Sequence, residues 1–123
     1  MRVFLNKPFQ RFARKESITA EALWDAVTRA ERGLIDADLG GGVIKQRIPR
    51  PNEGRSGGYR SIVLYRTSEL AFFVYGFPKS GRDNVSKQEL IAFRDLAEIL
   101  LNLSLDEVQR AVKSGALQEL EEL

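Results

Sequence analysis

The stretch from Gly40 to Arg82 constrains the fold most, because it contains three short runs with the pattern of β-strands. Residues 43–48 alternate between apolar and polar side chains, which indicates a strand with one exposed face. Residues 59–66 and 70–77 are apolar on both faces in their middle, which is typical of buried strands. The short link between these two runs predicts an antiparallel hairpin.

The same stretch holds most of the positive charge of the chain. Residues 43–82 carry eight Lys or Arg side chains against two acidic ones, a net charge of +6, whereas the whole chain has a formal net charge of +2. The remainder is therefore net negative. A strongly basic centre in a weakly basic chain indicates a partner that carries phosphate groups.

Helical patterns lie on both sides of the predicted strands. Four residues have the sequence context of helix N-caps: Asn6, Thr19, Ser86 and Ser104. The first two helices, over residues 7–15 and from Thr19 to Gly33, form a hairpin joined by residues 16–18, and Leu34 continues the apolar stripe of the second. The last two helices end near residues 101 and 115, and the acidic tail beyond them is expected to be peripheral.

Residues 49–58 contain two prolines and three glycines, which predicts a loop of about ten residues. With a possible strand at residues 2–5, the elements predict an α+β fold. An N-terminal helical hairpin packs on a small twisted antiparallel sheet and is followed by C-terminal helices. The length of 123 residues fits one domain, in which residues 105–123 form a C-terminal helix and acidic tail attached to residues 1–104.

The composition removes several kinds of chemistry. The chain has no cysteine, which excludes disulfides and thiolate metal sites and favours a reducing cytoplasm. It has no histidine, the commonest metal ligand and the usual general base near neutral pH. The first residues lack the apolar run of a signal peptide, and no run is long enough to span a membrane. We expect a cytoplasmic protein that needs neither a metal nor a cofactor.

Basic side chains from all three strands can meet at one edge of the sheet. Lys45 and Arg47 leave the same face of the first strand, Arg60 begins the second, and Lys79 follows the third. Neighbouring positive charges lower the pKa of a lysine toward neutrality, which makes a lysine of this set a usable general base. Arginine stays charged and stabilises negative charge that develops on a phosphate. The set predicts attack of a ribose 2′-OH on its own phosphate without a metal.

Further side chains are candidate contacts to RNA: Arg50, Arg55, Tyr75, Phe77 and Arg82. The arginines would contact the RNA backbone, and the two aromatic rings, with Phe73 on the same face of the strand, could stack on bases. A simpler interpretation stays open for each group. The basic side chains can be the solvated face of a half-buried strand, and the aromatic rings can belong to the core.

Three segments resemble the RelE-type toxins of bacterial toxin–antitoxin modules, and more narrowly their RelE/HigB-like subgroup. They are LGGGVIKQRI at residues 39–48, SGGYRSIVLYR at 56–66 and FFVYGFPKSGRDNVSKQELIAFRDLAEILL at 72–101. The resemblance covers roughly residues 1–104. It implies ribosome-dependent cleavage of mRNA in the decoding site and inhibition by a cognate antitoxin, expected to be a helix-turn-helix DNA-binding protein.

The resemblance also assigns roles to individual residues. Arg60 matches the strand arginine that contacts the scissile phosphate, Lys45 and Arg47 lie where the family keeps basic catalytic residues, and Lys79 matches a basic residue after the last strand. Members of the family often keep a catalytic Tyr or His near the C-terminus, but here the last tyrosine is Tyr75, so Lys45 is the first candidate for the general base and Tyr75 the second. Two alternatives remain on the same fold. One is a ParE-like toxin that inhibits DNA gyrase, and the other is a non-catalytic module that binds a repressor.

Overall fold

The computed structural model describes residues 1–50, 54–82 and 84–122, with side chains from residue 58 onward in the strand that begins at Gly54. Strands and helices follow one another in a mixed order along these residues. In chain order they are β1 (Arg2–Asn6), α1 (Lys7–Lys15), α2 (Ala20–Glu31), β2 (Ala37–Gly40), β3 (Val43–Arg50), β4 (Gly54–Arg66), β5 (Leu70–Pro78), α3 (Lys87–Leu100), α4 (Leu105–Ser114) and β6 (Leu117–Leu120).

The strands form one mixed sheet in the order β2-β3-β4-β5-β1-β6. The α+β class and the antiparallel arrangement of β3, β4 and β5 are confirmed. The expectation that the chain opens with the helical hairpin on a purely antiparallel sheet is wrong, because β1 comes first and pairs parallel to β5. The apolar side chains of Val3, Phe4 and Leu5 are fully or almost fully buried, which gives β1 an interior place in the sheet.

Two edge strands, β2 and β6, have no counterpart in the sequence prediction. The expectation that the acidic tail is peripheral is wrong for β6, which pairs antiparallel with β1 and buries Leu117 and Leu120. Arg2 fixes this pairing with two hydrogen bonds to the carboxylate of Glu119, at 2.8 and 2.9 Å. Both strands are four residues long, too short for an alternation to be recognised.

Most of the predicted loop between β3 and β4 is strand. β3 continues to Arg50 and β4 begins at Gly54, and residues 51–53 lie outside the described part of the chain. A Cβ atom on Gly58 would lie 2.2 Å from the carbonyl oxygen of Ile48, so only glycine allows the strands to approach at this irregularity in their register. The prediction of a loop is wrong over these strand residues, because a bulged hairpin contains glycines as a loop does.

The four N-caps are confirmed. The side chains of Asn6 and Thr19 accept hydrogen bonds from backbone amides in the first turns of α1 and α2, and α3 and α4 each begin with a complete capping box. The apolar stripe of α2 is shorter than predicted, because the helix ends at Glu31 and Leu34 is 58% exposed. None of the helices in the described ranges has the length and apolar character to cross a bilayer.

Helices cover both faces of the sheet. On the hairpin face, α1 and α2 pack on buried side chains of every central strand: Val3, Leu5, Ile44, Ile48, Tyr59, Val63 and Phe73. On the opposite face, called the C-terminal face, α3 and α4 pack on the alternate side chains: Phe4, Val43, Ile62, Leu64, Phe72 and Val74. The two sets come from neighbouring positions of the same strands, as the two-residue period of a strand requires.

A bulge in β5 changes which aromatic residues share a face. Ile62 pairs with Tyr75 and Val63 pairs with Phe73, so Val74 is an extra residue in the ladder. Phe73 lies on the hairpin face, with its ring centre 5.1 Å from that of Phe9. The prediction that Phe73 shares a face with Tyr75 is therefore wrong, because one inserted residue reverses the alternation beyond it.

Candidate functional site

The C-terminal face changes from apolar to cationic along the central strands. On β3 the side chains on this face run from Val43, which is buried, to Lys45 and then to Arg47, whose side chain is 45% exposed. On β4 they run from Leu64 and Ile62 to Arg60. The apolar end of this face packs against α3 and α4, and the cationic end forms the wall of a cleft.

The cleft has a volume of about 270 Å³ and is lined by Asp36, Ala37, Lys45, Arg47, Arg60 and Lys79. We call it the cationic cleft. The structure thus brings together the four basic residues that the sequence singled out as catalytic candidates, from β3, from β4 and from just beyond β5. Four positive side chains and one carboxylate line it, so the cleft suits an anion such as a phosphate group.

Arg47 and Arg60 are direct cross-strand partners. The backbone amide of Arg47 donates to the Asp36 carboxylate at 2.7 Å, and its carbonyl accepts from the Arg29 guanidinium, so both groups point away from β4. The two arginines therefore form the pair type without mutual backbone hydrogen bonds, in which side chains lie closest. Like charges at such a position oppose each other, and a bound anion would relieve that cost.

Lys79 reaches the cleft because the β4–β5 pairing continues past the end of β5. Phe77 pairs with Arg60 and Pro78 with Tyr59, and the Lys79 amide donates to the carbonyl of Gly58 at 3.2 Å. Lys79 therefore lies on the same side of the hairpin as Arg60. Backbone pairing fixes its position, so its side chain is free to contribute charge to the cleft wall.

Arg82, Tyr75 and Phe77 form a second cluster beside the cleft. The Arg82 guanidinium lies 5.2 Å from the ring centre of Tyr75 and 4.9 Å from that of Phe77. It donates to the Tyr75 hydroxyl at 2.5 Å and to both carboxylate oxygens of Glu89, at 2.8 and 2.9 Å. These hydrogen bonds from Arg82 lower the pKa of Glu89 to about 2. The predicted stacking surface is thus covered by an arginine that is already paired.

The structure places Arg50 apart from the cationic cleft. Its Nε donates to the Tyr59 hydroxyl at 3.1 Å, and its guanidinium lies over the Tyr59 ring and 4.0 Å from the carboxylate of Glu16. Tyr59 belongs to the hairpin face, so Arg50 lies on the opposite side of the sheet from Arg47. Arg55 belongs to β4, and its side chain lies outside the described part.

Sequence reasoning missed the polar groups that hold the cleft wall. Arg29 is 6% exposed, and its side chain contacts Asp25, Asp36 and the Arg47 carbonyl. Gln46 is 1% exposed and binds Ala26 and the Asp36 amide. The sequence signals this network through the i, i+4 spacing of Asp25 and Arg29, but the same spacing is typical of an ordinary ion pair on a helix surface.

The chain has a helical pair on each face of its sheet and a cationic cleft at one end, and its family match assigns it to the toxins of toxin–antitoxin modules. Residues 1–120 match the family described as the RelE toxin of the RelE / RelB toxin-antitoxin system. The chain belongs to the RelE toxin family, which confirms the resemblance to RelE-type toxins and extends it past residue 104. A search of curated proteins finds no match to the chain. Membership of this family implies a cognate antitoxin as a binding partner.

Proposed function

We propose that this chain is an endoribonuclease that cleaves mRNA on the ribosome and thereby inhibits translation. The observation that supports this most directly is the convergence of Lys45, Arg47, Arg60 and Lys79 on one cleft. Three of these side chains leave adjacent positions on two paired strands, so the cleft presents a fixed array of positive charge. Such an array suits a sugar–phosphate linkage whose phosphate gains negative charge during the reaction.

The proposed reaction is attack of the ribose 2′-oxygen on the adjacent phosphorus. Lys45 accepts the 2′-OH proton as the general base, and Arg47, Arg60 and Lys79 stabilise the charge on the phosphorane oxygens. The bond from phosphorus to the 5′-oxygen breaks, and that oxygen takes up a proton from solvent. The products are a 2′,3′-cyclic phosphate and a 5′-hydroxyl. Lys45 is a better candidate base than Tyr75, because the Tyr75 hydroxyl accepts a hydrogen bond from Arg82 outside the residues that line the cleft.

The proposed cleavage needs a contribution to its rate beyond the side chains of the cleft. A single positioned base or acid contributes about 10²- to 10⁴-fold, so a protein without histidine needs a further source of rate. Holding the RNA backbone in line for attack is one such source, and effective molarities from orientation alone are large. On this proposal the ribosome orients the mRNA, and the Arg82 cluster contacts the nucleotides beside the scissile phosphate.

The antitoxin is proposed to be a helix-turn-helix DNA-binding protein whose acidic segment covers the cationic cleft. Charge complementarity of this kind speeds association and weakens with salt. Covering the cleft would block the RNA and relieve the repulsion between Arg47 and Arg60.

Cleavage of mRNA in a translating extract tests the proposal, with 5′ ends mapped after the toxin is added. The Lys45→Ala/Arg60→Ala double variant should lose at least about 100-fold of the cleavage rate. Lys87→Ala/Arg110→Ala removes two positive charges from exposed sites on α3 and α4 and should cleave normally. Equal cleavage by the cleft variant and the wild type would remove the site assignment. Intact mRNA together with DNA damage in cells would instead favour a gyrase toxin.

A further inference from the structure

Among the described residues, no strand pairs with the Arg47 segment of β3 on the side away from β4. β2 pairs with β3 at Ala37–Lys45 and Asp38–Ile44, and Asp36 lies just before β2 begins. At Arg47 two side chains replace the missing strand. The Asp36 carboxylate accepts from the Arg47 amide at 2.7 Å, and the Arg29 guanidinium donates to the Arg47 carbonyl. The backbone of Arg47 is therefore held by groups that the sequence places on α2 and on the segment after it.

Asp36 also contacts the Arg47 side chain. Its Oδ1 lies 3.9 Å from the Arg47 Nε. Its Oδ2 accepts the hydrogen bond from the Arg47 backbone amide and lies 3.6 Å from Nη1 of Arg29. One carboxylate thus touches the backbone and the guanidinium of the same arginine. The carboxylate therefore restricts both the backbone position of Arg47 and the direction in which its guanidinium extends into the cleft.

Asp36 is itself held in place. Its backbone amide donates to the Gln46 side chain at 2.8 Å, and Gln46 in turn donates to the carbonyl of Ala26 in α2 at 2.9 Å. Gln46 lies between Lys45 and Arg47 and points to the hairpin face, so the same strand segment carries the cleft residues and their support. Buried polar networks of this kind are rigid when every member is satisfied.

A carboxylate in an anion-binding cleft opposes the ligand, because its charge repels a phosphate. We propose that Asp36, supported by Arg29 and Gln46, is a positioning residue that orients Arg47 for RNA cleavage and lowers the affinity of the cleft for RNA. The inference rests on the proposed function for its cleavage measurement. It predicts opposite effects on binding and on cleavage, a combination that neither a purely structural nor a purely electrostatic role would give.

Asp36→Asn tests the inference, because the amide oxygen can still accept from the Arg47 backbone while the charge is lost. We expect the affinity for a single-stranded RNA with a 2′-deoxy scissile position to rise about threefold at low salt. We expect cleavage of mRNA on ribosomes to fall about 10-fold or more. Asp95→Asn makes the same charge change on the exposed surface of α3 and should alter neither. Binding and cleavage that change in the same direction would overturn the inference.

Two further measurements keep the test decisive. Arg29→Lys keeps the positive charge but loses the fork that joins Asp36 to the Arg47 carbonyl, so cleavage should fall while RNA affinity stays within about twofold. The backbone amide of Arg47, which donates to the Asp36 carboxylate at 2.7 Å, should be protected from exchange in NMR spectra of the wild type and lose that protection in Asp36→Ala. An unprotected signal in the wild type would overturn the inference even without an activity assay. A wild type that leaves mRNA intact would instead count against the proposed function.

Discussion

The two faces of the sheet are used differently. On the hairpin face, β3 presents the apolar side chains of Ile44 and Ile48 with the buried Gln46 between them, and α1 and α2 pack over this face. On the C-terminal face, the same strands start apolar beneath α3 and turn cationic at Lys45, Arg47 and Arg60. Because the residues alternate, each strand contributes to a closed core and to the cleft at adjacent positions. Both faces therefore carry a buried core, and the site lies on the uncovered end of the C-terminal face.

The comparison explains how four positive charges can be kept together. Gln46 and Tyr59 extend to the hairpin face and pack there, which anchors the strand segments that carry the cleft residues. Packing of Gln46 and Tyr59 on the hairpin face thus offsets the repulsion between the positive charges of the cleft. Sites that strain the fold locally need such support elsewhere.

The largest effect is expected on the hairpin face. Phe73 is fully buried there, so Phe73→Ala should lower the free energy of unfolding by about 3–5 kcal/mol. Ile91→Ala, on an exposed position of α3, should stay within about 0.5 kcal/mol. Urea denaturation followed by circular dichroism measures both. A loss below about 1.5 kcal/mol for Phe73→Ala would contradict a closed core on this face.

A smaller effect, dependent on pH, is expected at the Arg82–Glu89 pair. Hydrogen bonds from Arg82 hold the Glu89 pKa at about 2, below the ordinary value of about 4.3. The pair therefore contributes stability above pH ~4.3 and loses it as the pH falls through about 2. Glu89→Gln should be less stable than the wild type at pH 6 by about 0.5–1 kcal/mol, and the difference should nearly vanish at the lowest pH.

The same urea titrations at several pH values provide the measurement for this pair. Glu98→Gln, at an exposed position of the same helix, serves as the matched control and should show no such dependence. A difference between wild type and Glu89→Gln that stays constant across the range would show that the ion pair does not set the Glu89 pKa.

The smallest effect on stability is expected inside the cleft. Lys79→Gln removes one of the like charges, so stability should be unchanged or rise by up to about 0.5 kcal/mol. RNA affinity at low salt should fall several-fold, and the slope of log K against log[salt] should decrease by about 0.7. Salt-dependent binding and thermal unfolding of the same sample test both halves. A clear loss of stability would show that Lys79 supports the fold instead of the site.

Local signals in the sequence predicted the parts of the fold that depend on neighbours along the chain. The N-caps at Asn6 and Ser86 and the hairpin of β4 and β5 were visible because their determinants lie within a few residues. The convergence of Lys45 and Arg60 followed from strand alternation once those strands were paired in order. These features needed no long-range information.

The rest depended on contacts between distant residues. β1 pairs with β5 and β6, which lie about 70 and 115 positions away, and nothing within RVFLN specifies either partner. Asp36 was missed because its role arises only when the chain before β2 meets the open edge of β3. Phe73 was assigned to the wrong face because a single extra residue, Val74, leaves no local signature.

The position of β1 between β5 and β6 sets an order for folding during synthesis. Val3, Phe4 and Leu5 leave the ribosome well before their strand partners, which lie within residues 70–73 and 117–120. Until residue 70 has emerged, β1 has neither of its two strand partners, β5 and β6. The second partner follows nearly fifty residues after the first. Pairings this distant in sequence form slowly. A nascent chain of this toxin therefore completes its sheet only after residue 120 has left the ribosome.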